Sequence, residues 1–301
     1  MTIDISNRLP APPARNLRVL LTGATGYVAS QLLPVFRGRY DLRLIDVRTD
    51  NGRGEPVEGV EIANLLEDDD ARLNSVFDGV DAVVHLGYYH PPHLGVAGAG
   101  KTYLDERPNV DMAERVYRHS LDAGVGRVVV ASSNHAADWY EQVIHPRKLD
   151  MVGPEHLPKS DNYYGWAKIA YEALGFTYAC GAFGRRLGVV QVRIGAPREI
   201  EASLYEDKPA VYKRNLGAYI SPRDMQQLFV RSIEAAWIQD EWDVPFQIFY
   251  GISNNARAFW SIANARRVVG YDPEDDSEIS YAADIQRLLI SRGETGRVGP
   301  A

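Results

Sequence analysis

Five short apolar runs, separated by segments with helical periodicity, constrain this chain more than any other feature. Leu17 to Thr22, Asp41 to Val47, Val80 to Leu86, Arg127 to Ser132 and Leu187 to Ile194 are too short for buried helices and carry the Val, Ile and Leu content of strands. Between them, Asn109 to Ala123 sets Val110, Ala113, Val116, Tyr117 and Leu121 at helical spacing. Tyr164 to Ala182 does the same with Ala167, Ala170, Tyr171, Leu174 and Tyr178. Strands that alternate with helices of this length form a parallel sheet covered on both faces, so the expected class is α/β, doubly wound. One conflict is local: Pro34 falls inside the helix after the first strand, which it should kink or end.

Composition narrows the function classes. The 301 residues are 45% hydrophobic and 24% charged, enough for one large domain or two small ones. No apolar run approaches the roughly 20 residues of a membrane helix, and the first sixteen residues lack the apolar core of a secretory signal. The net charge is −7 with no basic tract, which argues against a nucleic-acid partner. The run Glu67-Asp68-Asp69-Asp70 reads as a solvated loop or helix start. The single cysteine, Cys180, excludes an internal disulfide and suits a reducing, cytoplasmic setting; its apolar surroundings predict a buried, inert thiol.

The turn after the first strand carries chemistry. Thr22-Gly23-Ala24-Thr25-Gly26-Tyr27-Val28-Ala29 places small residues where a strand passes into a helix. They let the backbone approach a pyrophosphate, and the helix start offers free N–H groups and a partial positive charge. Ala29 takes the third small position, where helix packs on strand. The spacing is Gly-x-x-Gly-x-x-Ala, distinct from Gly-x-Gly-x-x-Gly. Asp46, at the end of the second strand, is placed to accept both ribose hydroxyls of an adenosine and to repel a 2′-phosphate, which favours NAD. Arg48, two residues on, keeps an NADP reading open.

The same logic divides the chain. Residues 1–16, rich in proline, form a flexible extension, and residues 17–195 the dinucleotide-binding domain. After Gly195 the pattern loosens, with a polar stretch at 196–222, a helix from Arg223 to Trp237, a strand from Phe246 to Tyr250, and a helix from Phe259 to Val269 that ends at Gly270. Residues 196–290 are therefore expected to form mainly a small substrate-binding cap over the carboxyl ends of the strands, with elements returning to the core. Residues 291–301 are expected to fray.

Two further clusters suggest acid–base work. Tyr164-Gly165-Trp166-Ala167-Lys168 sets a phenol and an ammonium at i and i+4 on one helix face. The cation should lower the phenol's pKa and let it act as a general base toward an alcohol. Ser132-Ser133-Asn134-His135 closes the strand from Arg127, so its polar side chains should emerge at the carboxyl edge of the sheet. A hydroxyl there can hold the reacting oxygen beside the tyrosine. Taken alone, Tyr-x-x-x-Lys is a common chance pattern, and a strand-end serine often caps a turn.

Together, the glycine turn, Asp46, His85-Leu86-Gly87, Asn109, Ser132-Ser133 and Tyr164/Lys168 resemble the extended short-chain dehydrogenase/reductase superfamily, with a Rossmann-type sheet. Val130-Ala131-Ser132-Ser133-Asn134-His135, Val192-Arg193-Ile194-Gly195, Ile220-Ser221-Pro222-Arg223-Asp224, Tyr250-Gly251-Ile252-Ser253-Asn254-Asn255 and Gly270-Tyr271-Asp272-Pro273 look like the uronate dehydrogenases. They look equally like the archaeal NAD-dependent glucose-6-phosphate dehydrogenases of short-chain type. Both groups oxidise the C1 hydroxyl of a sugar to a lactone.

The resemblance implies roles. Ser133, Tyr164 and Lys168 would carry proton transfer; Ser133, Asn134, His135 and Tyr164 would touch the sugar. Gly23, Thr25, Gly26, Tyr27, Val28, Asp46, Val47, Asn64, Leu65, Leu86, Gly87, Asn109, Ala131, Tyr164 and Lys168 would hold NAD. Arg214 looks like the arginine that grips the substrate's anionic end, a task suited to a guanidinium fork. A homodimer through the helices from Asn109 and Tyr164 is expected by the same resemblance. Ala196 departs from the uronate dehydrogenases, which have serine there, and the Tyr88 to Pro108 segment is longer than expected. His90-Pro91-Pro92-His93 could line the pocket but has no evident third ligand for a metal. The expected activity is NAD-dependent oxidation of a cyclic, anionic hexose derivative: a uronate, a hexose phosphate or a sulfonated hexose. A nucleotide-sugar epimerase or dehydratase is the alternative, followed by a non-catalytic NAD-binding sensor.

Overall fold

The computed structural model describes residues 9–91 and 102–294. Its centre is a sheet of seven strands: β1 (Arg18–Thr22), β2 (Asp41–Asp46), β3 (Val60–Ile62), β4 (Ala82–His85), β5 (Arg127–Ser133), β6 (Gly188–Ile194) and β7 (Phe246–Gly251). They pair in the order β3-β2-β1-β4-β5-β6-β7, every pair parallel. The helices are α1 (Tyr27–Phe36), α2 (Asp70–Phe77), α3 (Tyr103–Asp122), α4 (Glu141–Ile144), α5 (Tyr163–Ala179), α6 (Pro209–Ala218), α7 (Pro222–Glu234), α8 (Ala263–Val269), α9 (Ser277–Ser280) and α10 (Ala282–Leu288).

Successive residues of one strand serve opposite faces, which is why the inner strands β1, β4, β5 and β6 are largely apolar and buried. Leu21, Val84, Val129 and Val192 join Leu32 of α1 and Leu228 and Phe229 of α7 in one core. Leu20, Val83, Val128 and Val189 join Val76 of α2, Val116 of α3 and Tyr171 of α5 in the other. A third, smaller cluster unites Ile200, Tyr212, Leu216 and Tyr219 with Ile285, Leu288 and Leu289 beside the sheet.

The strand order reverses at β1, which lies between β2 and β4. The chain passes from β1 to β2 on one side and from β4 to β5 on the other, and the crevice between these connections lies beyond the carboxyl ends of β1 and β4. Side-chain caps fix where the helices begin at that level. Asn162 accepts from the Gly165 N–H at the start of α5, and Thr102 and Asp105 form a capping box on α3.

Pro34 lies inside α1, which ends two residues later at Phe36, so the expected end falls just beyond the proline. Several expectations need correction. The helix foreseen from Asn109 begins at Tyr103 and carries Pro108 within it, sustained by its capping box. The polar stretch at 196–222 contains α6, and the helix foreseen from Phe259 is confined to α8, because Phe259 to Ser261 instead bond along Val152. Cys180 is exposed, as the C-cap of α5, with its thiol donating to the Thr177 carbonyl. In the N-terminal extension, Arg39 donates to the Pro10 and Ala11 carbonyls and Arg15 pairs with Asp81. At the other end Glu294 meets Lys213. Among the described residues no helix is long and apolar enough to cross a membrane, and no three potential metal ligands cluster; Pro92 and His93 lie outside them.

Candidate active site

The phosphate-binding turn is built as its sequence demands. Gly23 has φ +69°, and a Cβ there would stand 2.7 Å from the Gly87 nitrogen, so only glycine lets β1 and β4 deliver their loops this close. Gly26 is the N-cap of α1, and no side chain caps the helix from that position. At the end of β2 the Asp46 carboxylate accepts from the Thr25 N–H (2.9 Å), the Thr25 hydroxyl (2.8 Å) and the Val47 N–H (2.7 Å). Arg48 reaches the Thr25 hydroxyl at 3.3 Å. Tyr27 and Val47 are exposed, Val28 and Leu86 half-buried, and Leu65 buried. Asn64 caps its own turn, its side chain accepting from the Leu66 N–H. The glycine-only approach and the carboxylate beyond β2 fit a dinucleotide laid across β1 and β4.

Asn109, 1% exposed, spans the Tyr89 backbone, accepting from its N–H (2.6 Å) and donating to its carbonyl (3.1 Å). It therefore fixes the loop after β4 onto α3. His85 hydrogen-bonds Thr22 (2.7 Å), and burial lowers its pKa to about 3, so it is a neutral structural group.

Ser133, Tyr164 and Lys168 meet at the carboxyl end of β5. The Ser133 hydroxyl hydrogen-bonds the Tyr164 phenol. Lys168 donates to the Ala131 carbonyl at 2.9 Å, with its nitrogen 5.4 Å from the Tyr164 ring centre. Burial pushes the Tyr164 phenol above its ordinary value, the Ser133 hydrogen bond opposes this, and the charge of Glu106 adds to it. Sequence reasoning expects the ammonium to lower that pKa; the lowering cause in the structure is the Ser133 hydrogen bond, and burial outweighs it.

Glu106 and Tyr88 went unnoticed in the sequence. The Tyr88 hydroxyl donates to the fully buried Glu106 at 2.5 Å, and its ring stands edge-on to Tyr164 at 5.7 Å. A polar residue one turn from Asn109 on the same helix was the available signal.

Beside Tyr164 opens a cleft of about 660 Å³, lined by His135, Asp138, Glu141, His145, Arg214 and Asn215 among others. The His135 ring stands 5.5 Å from that of Tyr164 and bonds Asp138 at 2.9 Å. Asn134 is buried, its carbonyl accepting from Ser133 at 3.3 Å, and its amide nitrogen has no partner among the described residues. Asp138 Oδ1 and His145 Nδ1, on the cleft wall, are likewise buried without partners. Arg214, on α6, reaches the cleft as expected, but its Nε and Nη2 are engaged by Glu141 at 2.8 to 3.2 Å.

A parallel doubly wound sheet with a dinucleotide cradle and a Ser–Tyr–Lys cluster defines a short-chain type of oxidoreductase. The comparisons with known proteins agree: the model of the "NAD dependent epimerase/dehydratase family" matches residues 19–189, and the chain belongs to that family. It is 35% identical to the NAD-dependent glucose-6-phosphate dehydrogenase of Haloferax volcanii, covering 86% of this chain and 94% of that protein. It is 31% identical to the L-arabinose 1-dehydrogenase (NAD(P)(+)) of the same organism, covering 86% and 97%. A solved structure described as a mutated uronate dehydrogenase superposes with a TM-score of 0.68 at 25% identity, covering 91% of this chain and 86% of that one.

Proposed function

We propose that this chain is an NAD-dependent sugar dehydrogenase that oxidises the C1 hydroxyl of a cyclic hexose derivative to a lactone, with an anionic sugar (uronate, hexose phosphate or sulfonated hexose) as substrate. The observation that carries the reading is the convergence of Ser133, Tyr164 and Lys168 at the carboxyl end of β5, with His135 of the adjoining cleft against the Tyr164 ring. The names of the relatives support the reaction type.

Bound NAD supplies the hydride acceptor. The chain does the rest. Gly23, Gly26 and the start of α1 receive the pyrophosphate, and Asp46 receives the adenosine ribose, which favours NAD. Lys168 helps hold the nicotinamide ribose. Ser133 donates to the sugar's C1 oxygen and aligns it with Tyr164. Tyr164 takes the C1 hydroxyl proton as the C1 hydride departs. Lys168 stabilises the phenolate that Tyr164 must be before it takes the proton. Asn134, His135 and Asp138 meet the ring hydroxyls, and Arg214 the anionic end.

The cap is drawn from α6, α9 and α10 within residues 196–290, while α7 and β7 return to the core. The working unit is a cytoplasmic homodimer: Tyr103 and Leu104 of α3 and Tyr163, Trp166 and Phe176 of α5 leave apolar surface exposed along the helices expected to pair.

The direct test is NADH formation with a panel of hexoses, hexuronates, sulfonated hexoses and hexose phosphates, with NAD and NADP side by side. Turnover on an anionic hexose supports the proposal; no NADH from any sugar overturns it. A redox-neutral nucleotide-sugar epimerase would retain its cofactor and release no NADH.

A further inference from the structure

The guanidinium that should receive the substrate's anionic end is already in an ion pair. Arg214 presents its Nε–Nη2 edge to Glu141, with contacts of 3.2, 3.2 and 2.8 Å, in the two-toothed manner a carboxylate ligand would use. Both partners are less than one-fifth exposed, at 18% and 17%. The guanidinium also lies 5.3 Å from the Trp260 ring, and only Nη1 is left outside the fork, in a long 3.4 Å contact with Asn215. On the far side of Glu141, His145 Nε2 stands 3.5 Å away.

We infer that Glu141 is a specificity-determining residue: it competes with the substrate's anionic group for Arg214 and so sets how strongly the cleft prefers an anionic sugar over a neutral one. The inference rests on the sugar dehydrogenase reading and deepens it. His145 and Arg214 together hold the Glu141 carboxyl down at about 2 against its burial, so it is ionised across any working pH. An incoming anion therefore has two routes. It displaces Glu141 from the fork, which leaves a carboxylate without its cation in a cleft that also holds Asp138 and Asp161. Or it settles for the Nη1 corner and forgoes the bidentate geometry. A neutral sugar faces neither loss, because it can accept from Arg214 and donate to Glu141 with the pair intact.

The test is Glu141→Gln, which keeps the shape and removes the charge. kcat/KM with saturating NAD is measured for two sugars that differ only at the far end, glucose and glucose 6-phosphate, and again for glucose and glucuronate. The expected result is a rise of tenfold or more in the anionic-to-neutral ratio, carried by KM, with NAD affinity unchanged. Arg214→Met should move the ratio the opposite way. Glu141→Asp, which draws the carboxylate back from the guanidinium, should move it as Glu141→Gln does and stands in if that variant does not fold. A ratio that stays put or falls in the Glu141 variants, while NAD binding is intact, overturns the role of Glu141. Failure of the parent chain to make NADH from any sugar is a different result, which removes the dehydrogenase reading and the inference with it.

Discussion

Arg193 of β6 and Glu172 of α5 form a bidentate ion pair, at 2.8 and 2.7 Å, sealed beneath the catalytic end of the sheet. Arg193 is fully buried and Glu172 is 4% exposed. Ser132 donates to Glu172 and Arg193 donates to the Tyr250 hydroxyl, so the pair ties β5, β6, β7 and α5 together. Glu172 lies one helical turn beyond Lys168, and Ser132 directly precedes Ser133. The registration of Ser133 against Tyr164 thus depends on a charge pair that takes no part in the reaction.

Breaking that pair should cost stability first. Glu172→Gln leaves a buried guanidinium without its counter-charge, a loss of about 3–5 kcal/mol in similar cases. Urea unfolding should show this loss, and kcat per folded molecule should fall as well, because Ser133 loses its register against Tyr164; an undiminished kcat in the folded fraction would remove the pair from that role.

At Gly23, alanine would carry an L side chain at φ +69° and push its Cβ to within 2.7 Å of the Gly87 backbone. The strain alone is about 1–2 kcal/mol. Gly23→Ala should lower the melting temperature and weaken NAD binding by tenfold or more in calorimetry. An unchanged affinity would show that the turn does not cradle the dinucleotide.

In the proposed reading Asp46 favours NAD over NADP. A hydrogen bond to a charged group is worth about 1.5–3 kcal/mol, so Asp46→Ala should cut NAD affinity by roughly ten- to hundredfold. Removing the negative charge next to Arg48 should also lower the preference for NAD over NADP, read as the ratio of kcat/KM for the two.

In the proposed reaction Tyr164 acts as the phenolate, so kcat/KM should climb with pH as the phenol loses its proton. Burial and Glu106 both raise its pKa, which moves the climb toward alkaline pH. Glu106→Gln removes one of those two causes, and the midpoint should move to lower pH. Tyr164→Phe should lower kcat by about 10² to 10⁴-fold while retaining NAD binding. A pH profile with the same midpoint in the Glu106 variant would remove that carboxylate from the account.

The core of the fold was legible because a strand buried on both faces leaves an unmistakable run of Val, Ile and Leu. β1, β2, β4, β5, β6 and β7 all stand within a residue or two of their expected bounds. β3 is three residues long at the sheet's edge, and half of α2 is charged or polar (Asp70, Arg72, Asn74 and Ser75); neither carries enough apolar pattern to be seen. Ser133, Tyr164, Lys168, Asn134 and His135 were legible because their spacing is set by one strand end and one helix turn. Glu141, Asp138 and Glu106 were not. Each reaches the site through a tertiary fold of the chain, and an acidic residue on a polar segment reads as solvated until its partner is known.

The wall of the sugar cleft is stitched from distant pieces of sequence. Val152, downstream of α4, bonds to Phe259 and Ser261, and the neighbouring Trp260 ring backs Arg214. The cradle at β1 draws on none of these residues. The β1 turn and the Trp260 region thus share no residue and lie far apart in sequence, so changes around residue 260 should alter the surroundings of Arg214 and leave the turn untouched.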